Sequence, residues 1–184
     1  VVDQSNNLYV GGNFQGSIDF DPGTANTNTN SNGISSGFVL KLNASGGFAW
    51  VEHQLDSVPN RIEGLSVRGD RVGVVAATNS MGGAERLVIK SYDRLTGSTV
   101  FERHFDGTAS LEIGGIELEE DGSYIVAGNI GGSNNCTQNT PSYSMPMDQF
   151  VVTTPVSGNS MFLVRLNSAG AVEMVKTMPG RHMR

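Results

Sequence analysis

Apolar and polar residues alternate in short runs along the chain, and turns that contain glycine separate these runs. The clearest example is the segment 37–50, GFVLKLNASGGFAW, in which an apolar run ends in Lys41, a turn contains Gly46, and a second apolar run follows. Two such runs around a glycine turn predict a β-hairpin. Helical periodicity is weak; the best candidate, 111–120, contains a glycine pair that would cost a helix interior about 1 kcal/mol per glycine.

The hairpin pattern occurs three times. Residues 84–101 read AERLVIKSYDRLTGSTVF, and residues 160–174 read SMFLVRLNSAGAVEM. We predict that the first run of each copy ends in a cation at an equivalent place, and that this cation covers a sheet edge. The three cations are Lys41, Lys90 and Arg165, and the turn glycines that follow them are Gly46, Gly97 and Gly170.

Another repeated run precedes each hairpin. Residues 8–14 (LYVGGNF) match residues 124–130 (YIVAGNI), and residues 73–78 are a weaker copy. A polar turn precedes each run, and before that turn lies an alternating strand, of which only Val1, Val2 and Asp3 remain in the first copy. The predicted unit is therefore a four-stranded antiparallel meander that recurs about every 50 residues.

This repeat predicts the organisation of the whole chain. We expect blade one at 1–56 with an incomplete first strand, blade two at 57–106, and blade three at 107–180; inserted loops at 15–36 and 131–159 make the spacing unequal. A period of about 50 residues lies in the range of β-propeller blades, and propellers typically have 4–8 of them. The sequence therefore predicts an all-β fold, a propeller segment of about three blades that belongs to a larger or oligomer-completed propeller.

The first copy resembles the bacterial SBBP repeat, a repeat of seven-bladed β-propellers. The segments LYVGGNFQGSIDFDPG and GFVLKLNASGGFAW carry the resemblance; the third copy keeps part of the pattern, and the second is the most divergent. The resemblance implies a propeller in a secreted or surface protein of bacteria, and it brings no catalytic residues. The matching positions are Asp3, Asn7, Tyr9, Val10, Gly12, Phe14, Asp19, Phe20, Pro22, Gly23, Phe38, Val39, Lys41, Leu42, Gly46 and Trp50.

Composition excludes several classes of partner. The 184 residues include 12 Lys and Arg against 18 Asp and Glu, which gives a formal net charge of −6, and no basic stripe is visible. Nucleic acids and anionic membrane surfaces need clustered cations, so we expect neither as a partner. No apolar run approaches the roughly 18 residues of a membrane-spanning helix, so we expect no membrane insertion. The single cysteine, Cys136, lies in a polar segment without a neighbouring base, and we interpret it as an incidental thiol.

Two polar segments are candidate sites. Asp19 and Asp21 flank Phe20 before a Pro-Gly turn, where two carboxylates and backbone carbonyls could bind calcium; alternatively, these aspartates only stabilise the turn. No other cofactor is expected. The loops offer side-chain amides for hydrogen bonds to a ligand, although a solvated polar loop explains them as well. The candidate ligand-binding residues are Asn26, Asn28, Asn30, Asn32, Asn134 and Asn135.

Catalytic motifs are lacking in the sequence. An acidic cluster, Glu117, Glu119, Glu120 and Asp121, could suggest glycoside hydrolysis, but it is local to one turn, and the three histidines have no metal-ligand spacing. We therefore expect that the protein is not an enzyme. We predict a non-catalytic extracellular or cell-surface module for binding or display.

The expected partners are a protein or carbohydrate at the cell surface, and further copies or the rest of a longer chain. Two alternatives stay open. One is an accessory or catalytic propeller of a secreted hydrolase, and the other is a structural subunit of a surface filament.

Overall fold

The computed structural model describes residues 1–53, 60–79, 85–108, 110–131, 144–154 and 159–180. The described residues form fifteen β-strands, all paired antiparallel, so the predicted all-β class is confirmed. Within these ranges no helix is long and apolar enough to cross a membrane. The strands are β1 (Leu8–Phe14), β2 (Ser17–Asp19), β3 (Asn28–Asn30), β4 (Ser36–Leu42), β5 (Phe48–His53), β6 (Asn60–Arg68), β7 (Arg71–Asn79), β8 (Glu85–Asp93), β9 (Thr99–Asp106), β10 (Ser110–Leu118), β11 (Tyr124–Gly131), β12 (Ser144–Met147), β13 (Phe150–Thr153), β14 (Ser160–Leu166) and β15 (Val172–Pro179).

Three meander sheets follow one another along the chain. The first sheet has the order β1-β4-β5, and an isolated bridge between Val2 and Leu8 extends it by one short segment. The middle sheet has the order β6-β7-β8-β9, and the last sheet has the order β10-β11-β14-β15. Two small hairpins, β2–β3 and β12–β13, lie within the inserted segments. The middle and last sheets have the four strands predicted for a unit, whereas the first has three strands and the bridge at Val2.

We call β4–β5, β8–β9 and β14–β15 the outer hairpins. Their register shows which positions of the three sheets are equivalent. Each hairpin has a one-residue irregularity at the same place, between Lys41 and Leu42, between Ser91 and Tyr92, and between Arg165 and Leu166. Ser91, and not Lys90, is therefore the counterpart of Lys41 and Arg165. The prediction for Lys90 was wrong by one residue because the turn of the middle sheet is one residue longer, which shifts the apparent alignment.

The predicted role of these cations as covers of a sheet edge is also corrected. The Lys41 ammonium is buried and donates a hydrogen bond of 2.7 Å to the carbonyl oxygen of Arg94 in the middle sheet. Lys90 pairs with Glu102 on the adjacent strand at 2.9 Å. Arg165 contacts carboxylates of its own sheet. Lys41 therefore bonds a backbone carbonyl of the neighbouring sheet, whereas Lys90 and Arg165 form ion pairs within their own sheets.

Consecutive sheets pack face to face in the same way. Strand β6 of the middle sheet lies against β1, and β10 of the last sheet lies against β6 and β7. Strands β6 and β10 approach each other closely, since a Cβ added at Gly64 would lie 3.2 Å from the Cα of Gly115. Small side chains are required where two backbones come so near. The three sheets thus form one stack with a repeated geometry.

The middle sheet is buried on both faces. Strand β7 reads RVGVVAATN, and its residues from Val72 to Ala77 other than glycine are at most 2% exposed. Continuous apolar runs of this kind are typical of strands covered on both sides. One face joins a core with the first sheet, formed by Tyr9, Val39, Trp50, Val72, Val74 and Tyr92. The other face joins a larger core with the last sheet, which includes Leu87, Ile89, Tyr124, Val126, Phe162 and Val164.

A turn glycine of one sheet packs on a large side chain of the preceding sheet at both junctions. A Cβ at Gly97 would lie 3.0 Å from the indole of Trp50, and one at Gly170 would lie 2.7 Å from the ring of Phe101. Trp50 and Phe101 occupy equivalent register positions, opposite Lys41 and Ser91. The interpretation of Trp50 as a residue that packs against the next unit is confirmed.

The β12–β13 hairpin belongs to the core between the middle and last sheets. Met145, Met147 and Val152 have no exposed surface, and the hairpin packs against β9 and β15. Asp148 at its tip accepts a hydrogen bond from the Val172 N–H at 3.1 Å and forms an ion pair with Arg103. The described part of the second inserted loop is therefore structural.

Candidate functional site

The β2–β3 hairpin is fixed to the first sheet by one aromatic residue. Phe20 is 4% exposed, and its ring centroid lies 5.4 Å from that of Phe14 and 4.8 Å from that of Phe38. At the base of the hairpin, the backbone N–H of Gly16 donates to the Ser31 hydroxyl at 2.8 Å, and the N–H of Ser31 donates to the Gly16 carbonyl at 2.9 Å. The hairpin is therefore held in place and is not a loose loop.

One face of this hairpin is entirely polar. Ser17 pairs with Asn30 and Asp19 pairs with Asn28 across the two strands, and all four residues are exposed. The Asn30 amide donates to the Ser17 hydroxyl at 2.9 Å. The Asn28 side chain has no hydrogen-bond partner among the described residues. We call these four residues the polar face of the hairpin; it presents hydroxyl, amide and carboxylate groups to solvent at fixed spacing.

The predicted calcium ligands Asp19 and Asp21 lie at the tip of this hairpin. Asp19 Oδ1 accepts backbone N–H groups of Asp21 at 3.1 Å and Thr27 at 2.9 Å, and Asp21 Oδ1 accepts the N–H of Gly23 at 2.7 Å. Both carboxylates thus stabilise the turn, as aspartate commonly does. Over the described residues, no three side chains of His, Cys, Asp or Glu are grouped to hold a metal ion. The calcium site stays a prediction.

The remaining candidate asparagines are placed differently. Asn26 and Asn32 are exposed in the turn and at the end of the hairpin, outside its polar face. Asn32 adopts a positive φ of 54°, and its backbone N–H donates to the Asn30 side chain at 2.7 Å. Asn134 and Asn135 lie outside the described residues. The structure therefore brings Asn28 and Asn30 together on the polar face, whereas Asn32 contacts Asn30 only through its backbone and Asn26 lies in the turn.

A second candidate is a charged cleft of about 500 Å³ where the turn after β10 meets the end of the middle sheet. Arg165 crosses it, with its Nε 2.9 Å from a Glu119 oxygen and one of its NH2 groups 2.6 Å from an Asp121 oxygen. Arg68 of the middle sheet lies 2.9 Å from Glu120. The lining residues are Arg68, Glu117, Leu118, Glu119, Glu120, Asp121, Ile125 and Arg165.

Two carboxylates of this cleft, Glu119 and Asp121, have a lowered pKa. A hydrogen bond from the Ser123 hydroxyl, supported by Arg165, lowers the pKa of Glu119. Ser123 and then Arg165 likewise lower the pKa of Asp121. A glycoside hydrolase requires one carboxyl with a raised pKa, so that it can donate a proton to the leaving group. Glu119 and Asp121, whose pKa is lowered, do not meet this requirement, and both pair with Arg165.

At the junction of the first and middle sheets, Arg94 occupies the place beside Asp3, Lys41 and Trp50. The Arg94 guanidinium, from the turn of the middle sheet, lies 3.2 Å from an oxygen of the buried Asp3. The Arg94 carbonyl accepts hydrogen bonds from Lys41 and from the Trp50 indole at 2.7 and 3.3 Å. Burial raises the pKa of Asp3, but hydrogen bonds from Asn7, from the Ser5 backbone and from Tyr9 outweigh it, and the pKa falls to about 2.

Sequence reasoning did not identify Arg94 or Ser123. Arg94 stands in a turn that is polar in each copy but cationic only in the middle one, and its partner Asp3 is 91 residues away. A comparison of the three turns, NASGG, DRLTGS and NSAGA, would have singled out the one with a cation. Ser123 could be recognised as the counterpart of Asn7, since each precedes a repeated run.

No protein family model matches the chain, and a search of curated proteins found no match. The resemblance to SBBP repeats accordingly stays a prediction drawn from the residues of the first copy.

Proposed function

We propose that the three sheets are successive blades of a β-propeller, and that the protein is a non-catalytic module for binding or display. The repeated register irregularity and the repeated contact of a turn glycine with a large side chain support the propeller arrangement. The resemblance to SBBP repeats supports it as well, and an extracellular or cell-surface location rests on that resemblance alone.

The observation that carries the binding proposal is the contrast between repeated and inserted residues. Residues at repeated positions, such as Trp50, Phe101 and Gly97, pack against the neighbouring sheet and are buried or partly buried, so they offer little surface to a ligand. The polar face of the β2–β3 hairpin does not recur in the other sheets, lies on a buried aromatic anchor, and is exposed. Binding residues are commonly displayed on inserted loops that a rigid scaffold positions.

A carbohydrate is the ligand that suits this face best. Each asparagine amide offers both donor and acceptor groups, serine offers a hydroxyl, and an aspartate oxygen accepts hydrogen bonds. Sugar hydroxyls donate and accept in the same way. The face is small and open, so we expect affinities in the range of weak, surface-displayed lectins, where several weak contacts are combined by avidity.

A glycan array probed with the labelled full chain tests this function, and titration calorimetry with the best glycan gives its affinity. We expect that the double variant Asn28→Ala/Asn30→Ala lowers the affinity at least tenfold. Asn129→Ala is the matched control, since Asn129 is an exposed asparagine on strand β11 of the last sheet. Absence of any bound glycan, or equal binding by the double variant and the control, would overturn the proposal.

A further inference from the structure

The outer face of the first sheet is apolar. The β2–β3 hairpin covers one end of it, where Phe20 packs on Phe14 and Phe38. No other described residue covers the end that carries Leu8 and Val10. Leu8 and Val10 on β1 are 42% and 39% exposed. Their cross-strand partners Leu42 and Leu40 are partly exposed, and Val51 is paired with Leu40 on the next strand. In the middle sheet, the equivalent face carries Val72, Val74 and Tyr92, and it is buried against the first sheet. This outer face therefore has the character of a surface that receives a preceding sheet.

The outer face of the last sheet carries exposed apolar side chains together with the polar or charged side chains of Asn129, Arg165 and Lys176. Met161 and Met178 pair across β14 and β15 and are 46% and 44% exposed. Ile125 and Leu163 on the same face are partly exposed. The equivalent face of the middle sheet is buried against the last sheet, where Val75, Leu87 and Ile89 contribute to the core. The last sheet thus presents the kind of surface that contacts a following sheet.

The contact between a turn glycine and a large side chain of the preceding sheet is incomplete at both ends of the stack. Gly46, the turn glycine of the first sheet, has a positive φ of 84°, and Gly97 and Gly170 also have positive φ. Apart from its chain neighbours, no described residue has an atom within 4 Å of the Cβ that Gly46 would carry. At the other end of the stack, Met174 occupies the position of Trp50 and Phe101, opposite Arg165. Gly46 therefore lacks the large side chain that its counterparts contact, and Met174 lacks the turn glycine.

We propose that a second copy of this chain docks head to tail, with the outer face of its first sheet on the outer face of the last sheet. The apolar parts of the two faces are complementary because each corresponds in register to one half of the junctions already present within the chain. The Gly46 turn of one copy then lies on Met174 of the other. This inference rests on the propeller arrangement proposed above: two copies supply six sheets, and propellers close with 4–8 blades. The expected product is a closed dimer.

Sedimentation velocity and light scattering of the full chain test this association. We expect a species of twice the chain mass of 19.5 kDa that dissociates on dilution. A monomer at all concentrations up to about 100 μM, well above the Kd of a typical stable interface, would overturn the proposal. A series of ever larger oligomers would overturn closure and favour an open filament.

Complementary variants test the head-to-tail geometry. Val10→Lys places a charge on the first sheet's outer face and Met161→Lys places one on the last sheet's outer face; both positions are exposed, so folding should be preserved, as circular dichroism would check. Each variant alone should be monomeric, whereas the mixture should form a heterodimer through the one intact junction.

Leu95→Lys, at a position 73% exposed in a turn that is on neither face, is the control and should dimerise like the parent. If Met161→Lys dimerises alone and Val10→Lys does not, two first sheets pair with each other, and the head-to-tail geometry is wrong. Glycan binding is also measured in the monomeric variants, in which no second copy lies beside the β2–β3 hairpin, so failure of either proposal is recognised independently of the other.

Discussion

Asp3 shows at the scale of one residue how the fold uses a buried charge. Its side chain is 3% exposed and accepts hydrogen bonds from Asn7, from the Ser5 backbone and from the Tyr9 hydroxyl. A buried carboxylate is tolerated only where such bonds replace water. The carboxylate fixes the turn before β1 and binds Arg94 of the next sheet, so it links local and tertiary structure.

The depressed pKa of Asp3 predicts a pH-dependent contribution to stability. Because the pKa is about 2 in the folded protein against an ordinary 3.8, the unfolded chain takes up the proton first as the pH falls. The stabilisation is therefore complete above about pH 4 and is lost as the pH falls toward 2. In urea denaturation, Asp3→Asn should be less stable than the parent at pH 6, and the difference should shrink at pH 3.

The control for this prediction is Asp106→Asn, which removes an exposed ion pair with Arg86. Exposed pairs contribute about 0–1 kcal/mol, so this variant should stay close to the parent at both pH values. A difference between Asp3→Asn and the parent that is constant from pH 6 to pH 3 would contradict the assignment.

At the scale of the element, the sequence predicted hairpins well and their register less well. Apolar alternation and turn glycines identified the outer hairpins around Gly46, Gly97 and Gly170, because strand periodicity is a local property. Lys90 was misplaced because one extra turn residue moves a side chain to the opposite face of the strand. The β12–β13 hairpin was missed because its strands have four residues each, and its burial depends on contacts with distant sheets.

The turn glycines give a prediction with a control inside the chain. Gly46 and Gly97 both have positive φ, so alanine at either position should cost roughly 1–2 kcal/mol for the left-handed conformation. Only at Gly97 does the added Cβ also meet Trp50, at 3.0 Å. We expect Gly97→Ala to lose about 1 kcal/mol more than Gly46→Ala in the free energy of unfolding, since overpacking typically costs 1–3 kcal/mol.

The measurement is equilibrium denaturation at protein concentrations where the chain is monomeric, so that Gly46 is compared without a docked second copy. Gly170→Ala, whose Cβ would approach Phe101 to 2.7 Å, should lose at least as much as Gly97→Ala. Equal losses at Gly46 and Gly97 would show that the contact with Trp50 does not constrain the turn.

At the scale of the whole molecule, repetition made the order of the sheets predictable from the sequence. Units that resemble each other must have similar neighbours, so a stack of three equivalent sheets follows from the repeat. The polar contacts between the sheets could not be predicted in the same way. The Arg94–Asp3 pair, for instance, joins positions that are not repeated, and neither residue has a charged counterpart in all three copies.

The position of the middle sheet between the other two predicts a gradient of local stability. Strands β7 and β8 are buried on both faces, whereas β1 has exposed Leu8 and Val10. At its free edge, β1 contacts the short segment of Val1 and Val2. Regions with few buried contacts open with lower free energy than the core. In hydrogen exchange of the dilute chain, followed by mass spectrometry, peptides from β7 and β8 should exchange slowest. Peptides from β1 and β15 should exchange faster.

Raising the protein concentration separates this gradient from the proposed association. Docking of a second copy would cover the outer faces of the first and last sheets, so protection should rise in β1, β14 and β15 and stay constant in β7. The monomeric variant Val10→Lys should show no such rise, because its first sheet cannot receive a partner. If β1 exchanges as slowly as β7 in the dilute parent chain, the predicted gradient of local stability is wrong. The first sheet would then be as stable as the middle sheet without a docked copy.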